Sequence, residues 1–409
     1  MKKIAIITAT RAEYGLLAPV IKELRKYESY GFIAELIVTG THLSKAYGYT
    51  VNEIESDGIR IDYKLSVPVK NESSIDISNN EAEILEKFTK LFAAEQYDAV
   101  LILGDRYEML AVSIAAMNTR IPIFHISGGD ISEGAIDDCI RHCITKMSYL
   151  HFPTNEESRK RIIQMGEEPE RVFNYGSTSI DNIISKAEMS KKEALDSVGL
   201  SDCRYALCTY HPVTLENDHI DRSMSELLGA ISLFPEIIFI FTKSNADQGG
   251  SMINQILDEA EGQIKNVRVY TSLGVRRYLS LMRYAEFVLG NSSSGIIEAP
   301  AFHVATINIG DRQKGRLRPE SIIDCGEDKE SIVEAVQMAT SEAFREKCKK
   351  TVNYYGDGHA AERIAKRVVD AMSTIDLKKK FYRVNVNWDN DLPARHLNME
   401  HGSKTELKV

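Results

Sequence analysis

The stretch LILGDRYEMLAVSIAAMNTRIPIFHISGGDISEGAIDDCIRHCITK, Leu101 to Lys146, decides how this 409-residue chain folds. The apolar run Ala99 to Leu103 ends in Gly104-Asp105-Arg106. After a helical pattern, a second run, Ile121 to Ile126, ends in Ser127-Gly128-Gly129-Asp130. Short apolar runs bounded by glycine and charge read as buried strands of a parallel sheet. The ends of such strands share one rim, and open α/β folds bind their ligands along it. A third segment then carries Asp137, Asp138, Arg141 and His142. One short segment thus delivers several carboxylates, His125, His142, Arg106 and Arg141 to one place, which is the composition of an active site.

Outward from this stretch the same alternation continues. Strands are expected at Lys3–Ala9, Ile33–Val38, near Arg60–Leu65, at Leu150–Pro153 and at Val172–Tyr175. Helices are expected at Gly15–Tyr27, from Leu43 to about Asp57, and at Glu81–Glu95, with a loop from Val67 through Asn80. A second series starts at Tyr205, with strands at Tyr205–Tyr210, Ile237–Thr242, Val267–Tyr270, Phe287–Leu289 and Ala305–Asn308. Helices at Arg222–Leu233, Ser251–Glu261 and Gly274–Arg283 lie between them. The expected class is α/β, two doubly wound Rossmann-like domains facing across a cleft. Residues 1–176 make the first domain and 177–357 the second, and the charged tail from about Leu377, with the single tryptophan Trp388, reads as a surface extension of no catalytic interest.

Composition narrows the class further. At 43% hydrophobic and 27% charged residues the chain is globular, and a net charge of −9 argues against a nucleic-acid partner. The six scattered cysteines read as reduced thiols. The opening MKKIAIITAT is too short in its apolar part for a signal peptide and reads as the first buried strand; no run is long enough to cross a membrane, so a cytoplasmic protein is expected. No G-x-G-x-x-G follows the first strand, and there is no Walker lysine, H-E-x-x-H or Cys/His cluster, so neither a dinucleotide, a metal nor any other cofactor is expected.

Gly290-Asn-Ser-Ser-Ser-Gly-Ile-Ile-Glu298 follows a strand and opens a helix. Backbone N–H groups there, with the hydroxyls of Ser292, Ser293 and Ser294 and the small Gly295, make an anion site. Glu298, one turn on, suits two ribose hydroxyls better than phosphate. His211, Lys243-Ser244-Asn245 and the 310–316 loop GDRQKGR end neighbouring strands on the same rim, and Arg312 and Arg316 can neutralise a diphosphate. Arg11 can reach the same phosphates from the first domain. Proton-transfer candidates are Asp105, Asp130, Asp137, His125 and His142, with Arg141 beside them at helical spacing from Asp137, while Asp138 reads as solvent-facing.

The motifs TATRAEYG, VTGTH, LGDRYE, HISGGD, IDDCIRHCITK, GNSSSGIIEAPAF, INIGDRQKGR and GDGHAAERI, in this order across residues 1 to about 375, resemble the UDP-N-acetylglucosamine 2-epimerase family, and most closely its hydrolysing branch. The resemblance implies the two-domain glycosyltransferase-B fold, with a last helix within 358–375 crossing back to the first domain, and a homodimer. It implies UDP contacts at Arg11, Arg106, His211, Asn245, Ser292, Ser293, Glu298 and Arg312, with backbone contacts at Gly15 and Leu273, and catalytic carboxylates at Asp105 and Asp137. Where many members carry a glutamate this chain has Ser127, leaving Asp130 or His125 to take that part. The implied reaction removes the C2 proton and expels the nucleoside diphosphate from C1, giving a 2-acetamidoglucal that is then hydrated to the free manno sugar. The product is N-acetylmannosamine or its 2,4-diacetamido-6-deoxy equivalent. A non-hydrolysing epimerase and a nucleotide-sugar binder without turnover remain as alternatives, as do UDP and GDP.

Overall fold

The computed structural model describes residues 1–71, 73–132, 135–212, 220–244 and 250–385. Strands β1 (Lys2–Thr8), β2 (Phe32–Val38), β3 (Tyr63–Lys64), β4 (Ala99–Leu103), β5 (Ile123–Ile126) and β6 (Leu150–Phe152) form one parallel sheet in the order 3-2-1-4-5-6. A second parallel sheet repeats the pattern with β7 (Arg204–Thr209), β8 (Ile237–Thr242), β9 (Val267–Tyr270), β10 (Phe287–Gly290), β11 (Ala305–Ile309) and β12 (Ile322–Cys325). Helices α1 (Arg11–Arg25), α2 (Val51–Ser56), α3 (Ser74–Ala94), α4 (Tyr107–Asn118), α5 (Ile136–Met147) and α6 (Glu156–Gln164) belong to the first series. Then come α7 (Thr178–Lys186), α8 (Lys191–Asp196), α9 (Ile220–Ile231), α10 (Gly250–Gln263), α11 (Gly274–Tyr284), α12 (Ser293–Ile297), α13 (Lys329–Thr340), α14 (Glu342–Lys349) and α15 (Ala360–Ala371). Among the described residues no helix is long and apolar enough to cross a membrane.

Burial on both faces explains the unbroken apolar runs. In β4, Ala99, Leu101 and Leu103 enter one core layer while Val100 and Ile102 enter the other, as the strand's two-residue period requires. The first of these layers is closed by α1 and α15. Helix α15 lies last in the chain, yet it commits Ala360, Ala361, Ile364, Ala365 and Val368, an apolar stripe at helical spacing, to this first core.

Several expectations need correction. Helix α1 starts at Arg11 rather than Gly15, because Thr10 and Glu13 close a capping box. The helix expected over 43–57 is two 3₁₀ turns and the short α2, since Gly48 (φ +84°) and Tyr49 (φ +47°) turn left-handed and break the run. Helix α3 extends back into the expected loop, capped by Ser73, whose hydroxyl accepts from the Asp76 N–H at 3.2 Å. Val172 makes a single bridge to His151 rather than a strand, and β12 is a sixth strand that the expected series lacks.

The two rims face each other. Arg316, after β11, reaches Asp130, after β5, at 3.9 Å. Gly315 (φ +86°) packs so closely on Ile131 that a Cβ there would meet its Cγ2 at 2.7 Å. At the other end of the cleft Asn182 Nδ2 donates to the Gly15 carbonyl at 2.7 Å, and a Cβ on Gly15 would lie 3.5 Å from Val275. The stretches that link the two sheets touch: Ser177 N–H donates to the Tyr355 carbonyl at 2.7 Å.

Candidate active site

Gly104 ends β4 in a left-handed conformation (φ +86°), which presents Asp105 at the rim. Arg141, buried in the second turn of α5, donates from Nε to Asp105 Oδ2 at 2.8 Å and from Nη2 to the same oxygen. Its Nη1 donates to the Asp130 carbonyl at 2.8 Å and to Asp138 Oδ1 at 3.1 Å, and Nη2 also donates to Ser132 Oγ at 3.0 Å. Burial pushes the Asp105 carboxyl up, but the charge and hydrogen bonds of Arg141, aided by Arg316, outweigh it and hold the group below the ordinary carboxylate range. Arg141 therefore positions Asp105 and keeps it ionised; with its donors engaged and its pKa raised, it is no proton donor. Asp138 is not merely solvent-facing: besides Arg141 it accepts from the Ser132 N–H at 2.6 Å.

His125 lies sealed in β5 with no exposure. A carbonyl only accepts, so Nε2 donates to Gly104 O at 2.8 Å and Nδ1 carries no proton, with no hydrogen-bond partner among the described residues. Burial lowers its pKa to about 4. A neutral, sealed imidazole bonded to the backbone props the Gly104–Asp105 turn and does not exchange protons with a ligand. Gly128 is required beside it, because a Cβ would sit 2.9 Å from Nδ1. Asp130 is likewise committed elsewhere. Its Oδ1 accepts from Asn155 Nδ2 at 3.2 Å and from Ser158 Oγ, and its Oδ2 faces Arg316 across the cleft. It bridges the lobes rather than standing in for the glutamate absent at Ser127, which itself adopts a left-handed conformation (φ +65°).

Asp137, half-buried, sits in the first turn of α5, where the helix dipole favours a carboxylate's charge. His142 lies one turn on, its Nε2 3.4 Å from Asp138. Arg11 opens α1 with no hydrogen bond or ion pair among the described residues, and Arg106 Nε donates at 3.2 Å to Glu108, a fully buried carboxylate that the sequence reading overlooked.

The second lobe's rim is organised by Asn291, also overlooked. Gly290 (φ +131°) admits no side chain, since a Cβ would fall 2.0 Å from the Thr209 carbonyl. The chain then places Asn291 so that Oδ1 accepts from the His211 N–H at 2.7 Å and Nδ2 donates to the His211 carbonyl at 2.8 Å. The Asn291 carbonyl accepts from Arg312 Nη1 at 3.1 Å and Gln313 Nε2 at 2.8 Å. One residue thus ties the loops after β7, β10 and β11 together. Its signal was its place directly after a strand-ending glycine. His211 Nδ1 pairs with Ser244 Oγ at 3.1 Å; Asn245 lies outside the described residues.

The serines divide their work. Ser292 caps α12, and the Ser294 hydroxyl is held by Ser292 Oγ at 3.2 Å and Tyr278 OH at 2.5 Å, so Ser294 is a brace rather than an open ligand group. Ser293 has no side-chain hydrogen bond among the described residues. Gly295 serves packing: a Cβ would lie 2.7 Å from Thr306 Cγ2. Leu273 is buried at the start of α11, its carbonyl accepting from Arg277 Nε at 2.7 Å. Glu298 closes α12 with its carboxyl pushed up by burial to about 8. Among the described residues no group of three or more His, Cys, Asp or Glu is placed to hold a metal ion.

The chain is similar to known proteins in sequence and in fold. The chain is 40% identical over 356 residues to polysialic acid biosynthesis protein P7 of Escherichia coli, covering 87% of this chain and 90% of that one. It is 40% identical over 325 residues to the hydrolysing GDP/UDP-N,N'-diacetylbacillosamine 2-epimerase of Campylobacter jejuni, covering 79% and 84%. A solved UDP-GlcNAc 2-epimerase from Neisseria meningitidis bound to UDP-GlcNAc shares the fold, with a TM-score of 0.78 at 20% identity over 90% of this chain and 100% of that one. Residues 22–369 match the UDP-N-acetylglucosamine 2-epimerase family, and with such relatives the chain belongs to it.

Proposed function

We propose that this chain is a hydrolysing 2-epimerase of a UDP-linked 2-acetamido sugar, releasing the free manno-configured sugar and the nucleoside diphosphate. The observation that carries the reading is the Arg141-held, ionised Asp105 on one rim, opposite the Asn291-centred nucleotide rim, with Arg316 close enough to act on Asp105. The relatives named as hydrolysing enzymes support the same branch. In this reading residues 1–176 supply the proton-transfer carboxylates and 177–357 the nucleotide site, with 358–375 returning to the first lobe. Ser292, Ser293, His211, Arg312, Arg11 and Arg106 hold the diphosphate, and Glu298 takes the ribose hydroxyls.

The chemistry follows from Asp105. As the C1–O bond breaks, its electron pair leaves on the diphosphate, and the charge of ionised Asp105 favours the positive character that grows on the sugar. Transfer of the C2 proton to the Asp105 carboxylate completes the 2-acetamidoglucal. Water then adds at C1 while C2 takes a proton on the opposite face, which requires a second group, and Asp137 is that group. The residues supply this chemistry without a cofactor. A cytoplasmic homodimer making sialic- or legionaminic-type precursors for surface polysaccharide is the setting that fits.

The test is NMR of the protein with UDP-N-acetylglucosamine, and separately with UDP-N,N'-diacetylbacillosamine, in D2O. Free UDP and a free manno sugar deuterated at C2 are expected for one of the two. A product still linked to UDP would overturn the hydrolysing assignment, and no turnover of either sugar, whether UDP- or GDP-linked, would overturn the enzymatic one.

A further inference from the structure

Glu167 is fully buried beside β6, the edge strand of the first sheet. Three donors converge on it: Lys146 Nζ at 2.5 Å, Lys379 Nζ at 2.7 Å and His151 Nε2 at 3.1 Å. Burial raises the carboxyl's pKa, but these partners outweigh it and bring the group down to about 2. Lys379 belongs to the tail that reads from sequence as inert. It also donates to the Lys146 carbonyl at 3.0 Å and the Ser148 carbonyl at 2.6 Å. Those carbonyls lie at the carboxyl end of α5, where a helix leaves acceptors unsatisfied and partial negative charge uncompensated. A lysine there acts as a cap.

The tail is seated firmly enough to deliver that cap. Phe381 lies against Gly166, where a Cβ would come within 2.5 Å of its ring, and Tyr382 N–H donates to the Gly166 carbonyl at 2.9 Å. Lys146 Nζ sits 5.2 Å over the Phe381 ring, and Asp376 N–H donates to Tyr149 OH at 3.2 Å.

We infer that Lys379 is a positioning residue for the reaction: by pinning the last turn of α5 to buried Glu167, it sets where the helix presents Asp137 and Arg141, and through Arg141 where Asp105 points. This rests on the reading that Asp105 and Asp137 transfer the protons. Helix α5 is a rigid rod, so a shift at one end is carried to the other. The nucleotide rim is built from other elements and does not depend on this pin.

The test uses the full chain carrying Lys379→Met, Lys379→Arg or Phe381→Ala. Steady-state turnover, UDP affinity by calorimetry, and amide exchange of residues 144–148 are measured. Lys379→Met is expected to lower kcat about tenfold, to leave KM and UDP affinity within about twofold, and to speed exchange in the last turn of α5. Lys379→Arg is expected to keep most of kcat, and Phe381→Ala, which loosens the seat of the tail but leaves the lysine, to lower kcat by less than Lys379→Met does. An unchanged kcat in Lys379→Met, or a parallel fall in UDP affinity, would each overturn the inference. If Lys379→Met does not fold, Glu167→Gln carries the same readouts. An inactive wild type would count against the functional reading instead, and unchanged exchange in Lys379→Met would then still overturn the cap.

Discussion

At the scale of single residues, Glu298 offers the most direct test of the proposed nucleotide site. Its carboxyl, raised to about 8 by burial, is largely protonated at neutral pH when the site is empty. Two ribose hydroxyls donating to it would favour the charged form, so binding must release a proton below about pH 8. UDP affinity is expected to rise about tenfold or more between pH 6 and pH 8. Calorimetry in buffers of different ionisation enthalpy checks the proton release, and Glu298→Gln, which retains the acceptor but cannot ionise, should flatten the slope beyond what the phosphates themselves contribute. Asp105→Asn removes the charge that Arg141 is built around. It is expected to cost about 10²–10⁴-fold in kcat and about 1–3 kcal/mol of stability, with UDP affinity nearly unchanged. Turnover and urea unfolding of the same preparation separate the two effects.

At the scale of elements, the three loops sewn together by Asn291 should fail together. Asn291→Ala deletes both hydrogen bonds to the His211 backbone and should weaken UDP binding about tenfold or more, while Asp105 and α5 on the other lobe stay in place. Gly290→Ala is harsher, since its Cβ would strike the Thr209 carbonyl; a loss of about 3 kcal/mol or more is expected, read by thermal unfolding. These contrasts show what was legible in the sequence. Strand ends such as Gly104-Asp105 and Gly290-Asn291 are written locally, because a left-handed turn calls for glycine and the apolar run before it marks the strand. The partners of those residues are not local. Arg141 meets Asp105 across 36 positions and Asn291 meets His211 across 80, so spacing pointed Arg141 at Asp137 and left Asn291 without a role. The stretch over 43–57 misled for a different reason: its apolar periodicity is real, but Gly48 and Tyr49 break the helix. The tail shows no periodicity because its contacts are single side chains reaching another part of the molecule.

At the scale of the whole molecule, two sealed histidines tie stability to pH. His125 and His42 are fully buried, each with its pKa lowered to about 4, chiefly by burial. In the unfolded chain they titrate near 6.5, so the unfolded state binds more protons between those values. The stability this represents is fully present above pH 6.5 and is lost as pH falls toward 4, by about 2 kcal/mol per histidine at pH 5. Glu13 and Glu298, both raised to about 8 chiefly by burial, gain stability over the same range as they take up protons. The histidine effect is therefore read by comparison: on going from pH 7 to pH 5, urea unfolding of His125→Gln should lose about 2 kcal/mol less than the wild type. The chain's two passages between the lobes carry a mechanical consequence of their own. Gly176 and Gly356 both take left-handed conformations, and a Cβ on Gly176 would lie 2.7 Å from the Gly356 Cα. Two covalent crossings that touch form a single pivot, so any opening of the cleft is expected to turn about that point, like a pair of shears, rather than to slide one lobe past the other.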